Sequence, residues 1–410
     1  MKVLIIGSGG REHALADACY RSASVDQVYA APGSKGMSDV AQIVNIAADD
    51  ISGLVTFAKK EAIDLTIVGP EAILALGISD AFEDAELRIF GPSKAATQIE
   101  SSKDFSKRLM KKYQIPTAEY QTFDNYEDAS AYVKAKGAPI VVKEDGLKAG
   151  KGVTVAQSES EALEALKIAF SLAGNKVVIE ECLVGFEFSL MSFVHEGHVI
   201  PMEIAQDHKA AYDNDKGPNT GGMGCYSPVK KITQEIVDEA MEKVMKPIAA
   251  AMVKEGVPFT GFLYGGLMLT EDGVKTIEFN ARFGDPEAEV ILPRLESDFA
   301  QTILKVMDNQ PVTLKWSNDV VLGVVLASEN YPAGSTKGAL IENLDKVEGR
   351  AFHMGTKYED HNYYTNGGRV LIVVERGSTI ETAYEAAYRE VKKIKCDKLF
   401  YRNDIGKKDM

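Results

Sequence analysis

From Lys2 to about residue 92, short apolar runs alternate with mixed stretches: "KVLIIG", "QVYAA", "AQIVNI", "DLTIVGPE" and "RIFGPS". Brief apolar runs bounded by turn residues read as strands buried on both faces. Separated by helical stretches, they predict a Rossmann-like, doubly wound parallel sheet whose ligands lie at the carboxyl ends of the strands. The pattern then changes. Ser101-Ser102 predict the cap of a helix over "KDFSKRLMKKY", with Pro116 as its stop. A compact α/β segment follows over about 120–182. From 183 to about 315 the strands are longer and alternate as in an antiparallel sheet. The last section carries the strands "VVLGVVLAS" and "GGRVLIVVERG" and a final helical stretch. The expected division is an N-terminal Rossmann-like domain (1–100), a central domain (101–315) containing the small segment at about 120–182, and a C-terminal α/β domain (316–410).

The opening "MKVLIIGSGGREHAL" predicts a strand at Val3–Ile6, a turn at Gly7, Gly9 and Gly10, and a helix over Arg11–Cys19. It resembles a dinucleotide fingerprint only in part, because the sixth position is Glu12 and the second strand ends in Ala31-Pro32-Gly33 with no acid for a ribose hydroxyl. A nicotinamide or flavin site is therefore not expected. Glu71, at the end of "IVGPE", is placed either to face the same crevice or simply to cap a helix.

The bulk numbers narrow the classes. With 410 residues, 45% of them hydrophobic, the chain can bury more than one core. A net charge of −14 argues against nucleic-acid or anionic-membrane partners. The four cysteines are scattered, with neither a C-x-x-C pair nor a nearby histidine, which suits a reducing cytoplasm. No apolar run is long enough to span a bilayer, and no secretory leader is expected ahead of the first strand.

An anionic ligand would then need local basic clusters. "VVKEDGLKAGKGVTV" joins two apolar strands through Gly146, Gly150 and Gly152, with Lys148 and Lys151 in the loop and Lys143 on the incoming strand. Converging backbone N–H groups and lysines suit a flap over phosphates, the alternative being a solvated hairpin. Lys143, an ammonium in an apolar strand, needs an anionic partner. Beyond it, Glu180, Glu181, Leu183 and Glu187 suit an adenine and its ribose. In "VKTIEFNARFGDPEAEV", alternation puts Glu278, Asn280 and Arg282 on one face and Ile277 and Phe279 on the other. Hard oxygen ligands for magnesium beside a phosphate-binding arginine explain that face better than an exposed polar surface does. The long loop "QDHKAAYDNDKGPNTGGMGCYSP" is too polar for a buried element, and its backbone donors over Thr220–Gly224, with Asp207 and Lys209, suit a small polar substrate. Cys225 is a filler, and "HEGH" a hairpin turn at Glu196-Gly197 with no zinc.

"GSGGREHAL", "VGPEA", "DGLKAGKGV", "GPNTGGMG" and "ARFGDPEAE", in this order over nearly the whole chain, resemble the glycinamide ribonucleotide synthetases of the ATP-grasp superfamily. The resemblance implies an ATP-grasp core with a small ATP lid over 120–182. It also implies ligation of glycine to 5-phosphoribosylamine at the expense of ATP, through glycyl phosphate, in the second step of purine synthesis. ATP with magnesium or manganese is implied, the metal on Glu278 and Asn280. Lys103, Lys143, Arg282 and Asp285 are implied for the chemistry, and Lys103 and Lys143 with the lid residues for ATP. Gly9, Gly10, Glu71, Asp207, Lys209, Asn219, Thr220, Gly221, Gly222, Met223, Arg282, Gly284 and Asp285 are implied for the other substrates. Another ATP-grasp ligase or carboxylase would share the lid and metal strand but not "GPNTGGMG" with "RFGDPE". The chain is expected to act as a cytoplasmic monomer on small molecules. It departs from the family pattern at Glu144, after the lid lysine, and at Gly265-Gly266, where other ATP-grasp enzymes carry a first metal carboxylate.

Overall fold

The structure, a computed structural model, describes residues 1–148, 152–171 and 174–410. Five parallel strands, β1 (Lys2–Gly7), β2 (Gln27–Pro32), β3 (Gln42–Ile43), β4 (Leu65–Val68) and β5 (Ile89–Phe90), lie in the order β3-β2-β1-β4-β5. Val3 and Ile5 enter one core and Leu4 and Ile6 another, so every residue of the run is buried. The order reverses between β1 and β4, which opens a crevice beyond Gly7 and Gly69.

A second, antiparallel sheet has the order β6-β9-β7-β8, with β6 (Tyr120–Phe123), β7 (Ile140–Glu144), β8 (Val153–Ala156) and β9 (Val177–Glu181). The helices Tyr126–Lys136 and Glu159–Ala169 close its own small core.

The third sheet carries β10 (Phe186–His195) and β11 (His198–Asp207), joined at Glu196 and Gly197, whose φ values of 47° and 90° suit a tight two-residue hairpin. After the hairpin β12 (Ala210–Tyr212) and β13 (Lys216–Asn219) come β14 (Gly224–Ser227), β15 (Thr260–Thr270), β16 (Gly273–Asn280) and β17 (Val320–Ser328). The order is β16-β15-β10-β11-β14-β17, continued by the strands Arg369–Gly377 and Arg350–His353. Strands from both sides of residue 315 thus share one antiparallel ladder.

β14 corrects the expectation of an exposed polar loop. Gly224 to Ser227 are all buried between β11 and β17. Pairing on both sides places the strand inside the sheet, with Tyr226 buried in the core, while the Gly- and Asn-rich neighbours hide its signal. Among the described residues no helix is long and apolar enough to cross a membrane.

Candidate active site

A cavity of about 580 Å³ lies among the three sheets. Arg11 and Glu71 reach it from the parallel sheet, Lys143, Gly146, Lys148 and Gly152 from the small sheet, and Glu278, Asn280, Arg282 and Asp285 from β16 and the turn after it. Gly150 and Lys151 lie outside the described residues.

The anionic partner that Lys143 requires is Glu180. Its Oε1 lies 3.0 Å from the Lys143 ammonium and its Oε2 2.9 Å from that of Lys107, with all three side chains nearly inaccessible. Lys143 also donates to the Ile277 carbonyl at 3.0 Å. Both carboxylate oxygens of Glu180 are thus committed to lysines rather than free for an adenine. Lys107, on the Lys103–Lys112 helix, is held down to about 8 by burial against the pull of Glu180. Two ammonium groups on one carboxylate leave an excess positive charge at the cavity wall. Lys103 donates to the Gly146 carbonyl at 2.9 Å, and its backbone N–H to Asp145 at 2.6 Å, which ties the helix start to the lid loop. Lys148 pairs with Glu144 at 2.8 Å. Glu181, Leu183 and Glu187 line the same cavity.

Glu278 and Asn280 face the cavity together, but Ile277 does not point away as strict alternation requires. Gly266 pairs with Glu278 and Leu267 with Thr276, so Ile277 is the extra residue of a bulge and lines the cavity too. Burial pushes the Glu278 carboxyl up, and Lys143, Lys209, Lys103 and Arg282 outweigh it, so it stays ionised below its ordinary value. An ionised carboxylate and an amide oxygen, side by side on one strand face, fit a hard divalent cation. The phosphates of a nucleotide fit the lysines around them.

Arg282 lies between two acids. Its Nη2 is 3.2 Å from Glu100 Oε1 and its Nε 3.4 Å from Glu71 Oε2. Burial raises Glu100 to about 7 against Arg282, which pulls it down. Arg11 is 3.9 Å from Glu71.

The glycine turn at the start of the chain holds its own glutamate. Glu12 Oε2 accepts the Gly9 N–H at 2.7 Å and Oε1 accepts Arg11 Nε at 2.7 Å. A Cβ at Gly7 or Gly69 would run into the Glu12 side chain. The Gly9 N–H is therefore already taken by the protein's own carboxylate. A Cβ at Gly10 would meet Glu289 and Met354, so a bulky residue there collides with the protein before any ligand.

The Gly–Asn loop is also self-satisfied. Thr220 N–H donates to the Lys209 carbonyl at 2.8 Å, Gly221 to the Tyr331 hydroxyl at 2.8 Å, Gly222 to Thr220 Oγ1 at 2.9 Å, and Met223 to the His208 carbonyl at 2.9 Å. Asn219, Thr220 and Gly221 line the cavity, and Gly9, Gly10, Asp207, Gly222, Met223 and Gly284 are not among its lining residues. Asp207 pairs with Lys209 at 2.7 Å, and burial lifts it to about 7 despite that partner. Lys209 itself lines the cavity.

Lys107, Glu100 and Arg369 are among the charged lining residues that the sequence reading did not single out. Arg369 Nη1 reaches Asp285 Oδ1 at 2.9 Å and donates to the Gly221 carbonyl at 2.8 Å. Lys107 repeats Lys103 one helical turn on, a signal that was available.

Models of the phosphoribosylglycinamide synthetase N domain, ATP-grasp (A) domain and C domain match residues 1–100, 101–288 and 321–408. A phosphoribosylamine–glycine ligase of Lactococcus lactis is 53% identical over 99% of each chain, and one of Halalkalibacterium halodurans 52% identical over 100% of this chain and 97% of its own. The chain belongs to the phosphoribosylglycinamide synthetase family. The crystal structure of a Thermotoga maritima phosphoribosylamine–glycine ligase superposes with a TM-score of 0.85 at 32% identity, covering 99% of this chain and 100% of that one. The biotin carboxylase domain of a Hydrogenobacter thermophilus 2-oxoglutarate carboxylase shares the fold, with a TM-score of 0.73 at 16% identity over 98% and 91% of the two chains.

Proposed function

We propose that this chain joins glycine to 5-phosphoribosylamine, consuming ATP and releasing glycinamide ribonucleotide, ADP and phosphate. The observation that carries the reading is the cavity itself: Lys103, Lys143, Lys209 and Arg282 surround an ionised Glu278 beside Asn280 in a family member. A carboxylate is a poor acyl donor. Transfer of the γ-phosphoryl group to the glycine carboxylate gives glycyl phosphate, and attack by the amine of phosphoribosylamine on its carbonyl expels phosphate. Phosphoryl transfer asks for alignment and charge neutralisation rather than a protein nucleophile. Lys103 and Lys143 hold the nucleotide phosphates, and Arg282 steadies the charge that builds on the transferred group.

Glu278 and Asn280 would hold a magnesium or manganese ion, which when bound neutralises phosphate charge. Glu71, Arg11, Asp285 and Arg369 line the same cavity and would receive the ribose phosphate and amine. Glycyl phosphate hydrolyses in water, so the small sheet with Gly146, Lys148 and Gly152 serves as the cover that keeps water out. Phosphate release from ATP, measured with glycine and freshly made phosphoribosylamine added singly and together, tests the reading. Release is expected only with both, and release independent of either substrate refutes it.

A further inference from the structure

We propose that Glu100 is the positioning residue for Arg282. The inference rests on the ligase reading and adds a residue to it. Among the described residues Arg282 Nη1 donates to the adjacent Phe283 carbonyl at 3.3 Å, and Glu71 and Glu100 both meet the guanidinium as ion pairs, Glu71 at 3.4 Å from Nε. Its shortest ion pair is the one to Glu100, at 3.2 Å.

Glu100 holds the same residue a second way. Its Oε2 accepts the N–H of Ala281 at 2.6 Å, so one carboxylate grips the guanidinium and the backbone just before it. Both oxygens are thereby committed to this one task, and the side chain is only 8% exposed. A carboxylate bound at two points fixes direction as well as distance, which a single surface ion pair does not. Glu100 lies on the short helix Gln98–Ser101, ahead of the helix that begins at Lys103. The segment that starts one phosphate-facing lysine thus also aims the arginine opposite it. Arg282 touches the reacting groups, and Glu100 acts through Arg282.

Glu100→Gln keeps the shape and an acceptor for the Ala281 N–H but removes the charge that orients the guanidinium. In the full-length chain, kcat is expected to fall about 30-fold or more while KM for ATP changes less than about 3-fold. The thermal midpoint is expected to stay within a few degrees of wild type. In an Arg282→Lys background, the same change is expected to cost less than about 3-fold further, because the guanidinium it serves is gone. A kcat close to wild type, or losses that multiply in the double variant, overturns the proposal. Should Glu100→Gln not fold, Glu100→Asp carries the test. Its shortened side chain cannot span both contacts, so kcat is expected to fall with KM for ATP unchanged, and wild-type kcat overturns the role. Wild-type turnover run alongside tests the ligase reading separately. With that turnover present, an unaffected Glu100 variant removes only Glu100.

Discussion

Replacing Glu180 by Gln should destabilise the small sheet more than any change of one exposed charge. Glu180 lies 2.9 Å from Lys107 and 3.0 Å from Lys143, with all three side chains only 3–5% exposed. Removing one partner of a buried ion pair costs about 3–5 kcal/mol, because the remaining charge has lost its water and its counterion. The glutamine oxygen still accepts one N–H and recovers about 1 kcal/mol. The net loss is about 3 kcal/mol, or roughly a 150-fold fall in protection for opening events that break the cluster. Native-state hydrogen exchange of the β7 and β9 amides reads that quantity directly. Adding Lys107→Met to Glu180→Gln returns the cluster to a single excess charge, so the double variant should be more stable than Glu180→Gln alone. Saturating ATP should narrow the gap between Glu180→Gln and wild type, since its phosphates supply the missing anion. A protection change below about 3-fold, or a double variant weaker than both singles, would refute the reasoning.

Glu278→Gln should abolish turnover while the chain stays folded, and normal activity at ordinary magnesium concentration would remove the metal assignment from β16. Arg369→Met should raise KM for phosphoribosylamine by about 10–100-fold, the worth of a charge-assisted hydrogen bond, with KM for ATP little changed. An equal rise in both would make Arg369 a merely structural link. Lys107 titrates at about 8 in the folded chain against 10.5 ordinarily, so between those pH values the unfolded chain binds more protons and stability rises with pH. Denaturant unfolding of wild type should therefore gain about 3 kcal/mol on Lys107→Met across that window, and a constant difference would show that Lys107 is not strained by burial.

The sequence carried the parts of this site that local rules govern. Val3–Ile6 reads as a doubly buried strand because both its faces are covered, and Glu196-Gly197 reads as a turn because both need positive φ. Glu278 and Asn280 fall on one face by simple alternation. What stayed hidden depends on distant partners. Ile277 turns into the cavity because Gly266 and Leu267, on another strand, skip a residue. Glu100 resembles any linker acid until Arg282 is beside it, and Arg369 any strand arginine until Asp285 is. The glycine turn shows the same dependence: the carboxylate that takes the Gly9 N–H is Glu12 of the following helix.

Glu278 and Arg369 hang from a single hydrogen-bonded ladder that runs from β16 through β17 to the strand Arg369–Gly377. Like two piers under one deck, they keep a fixed span whatever binds between them. The small sheet shares no ladder with that deck, so it can swing without breaking the long sheet's hydrogen bonds. Structures of successive states along the reaction should superpose on the long sheet, with the displacement gathered in residues 120–182. Chemistry in the cavity then proceeds on a rigid bench. The acyl phosphate would then meet its amine within one chamber whose long-sheet wall does not move.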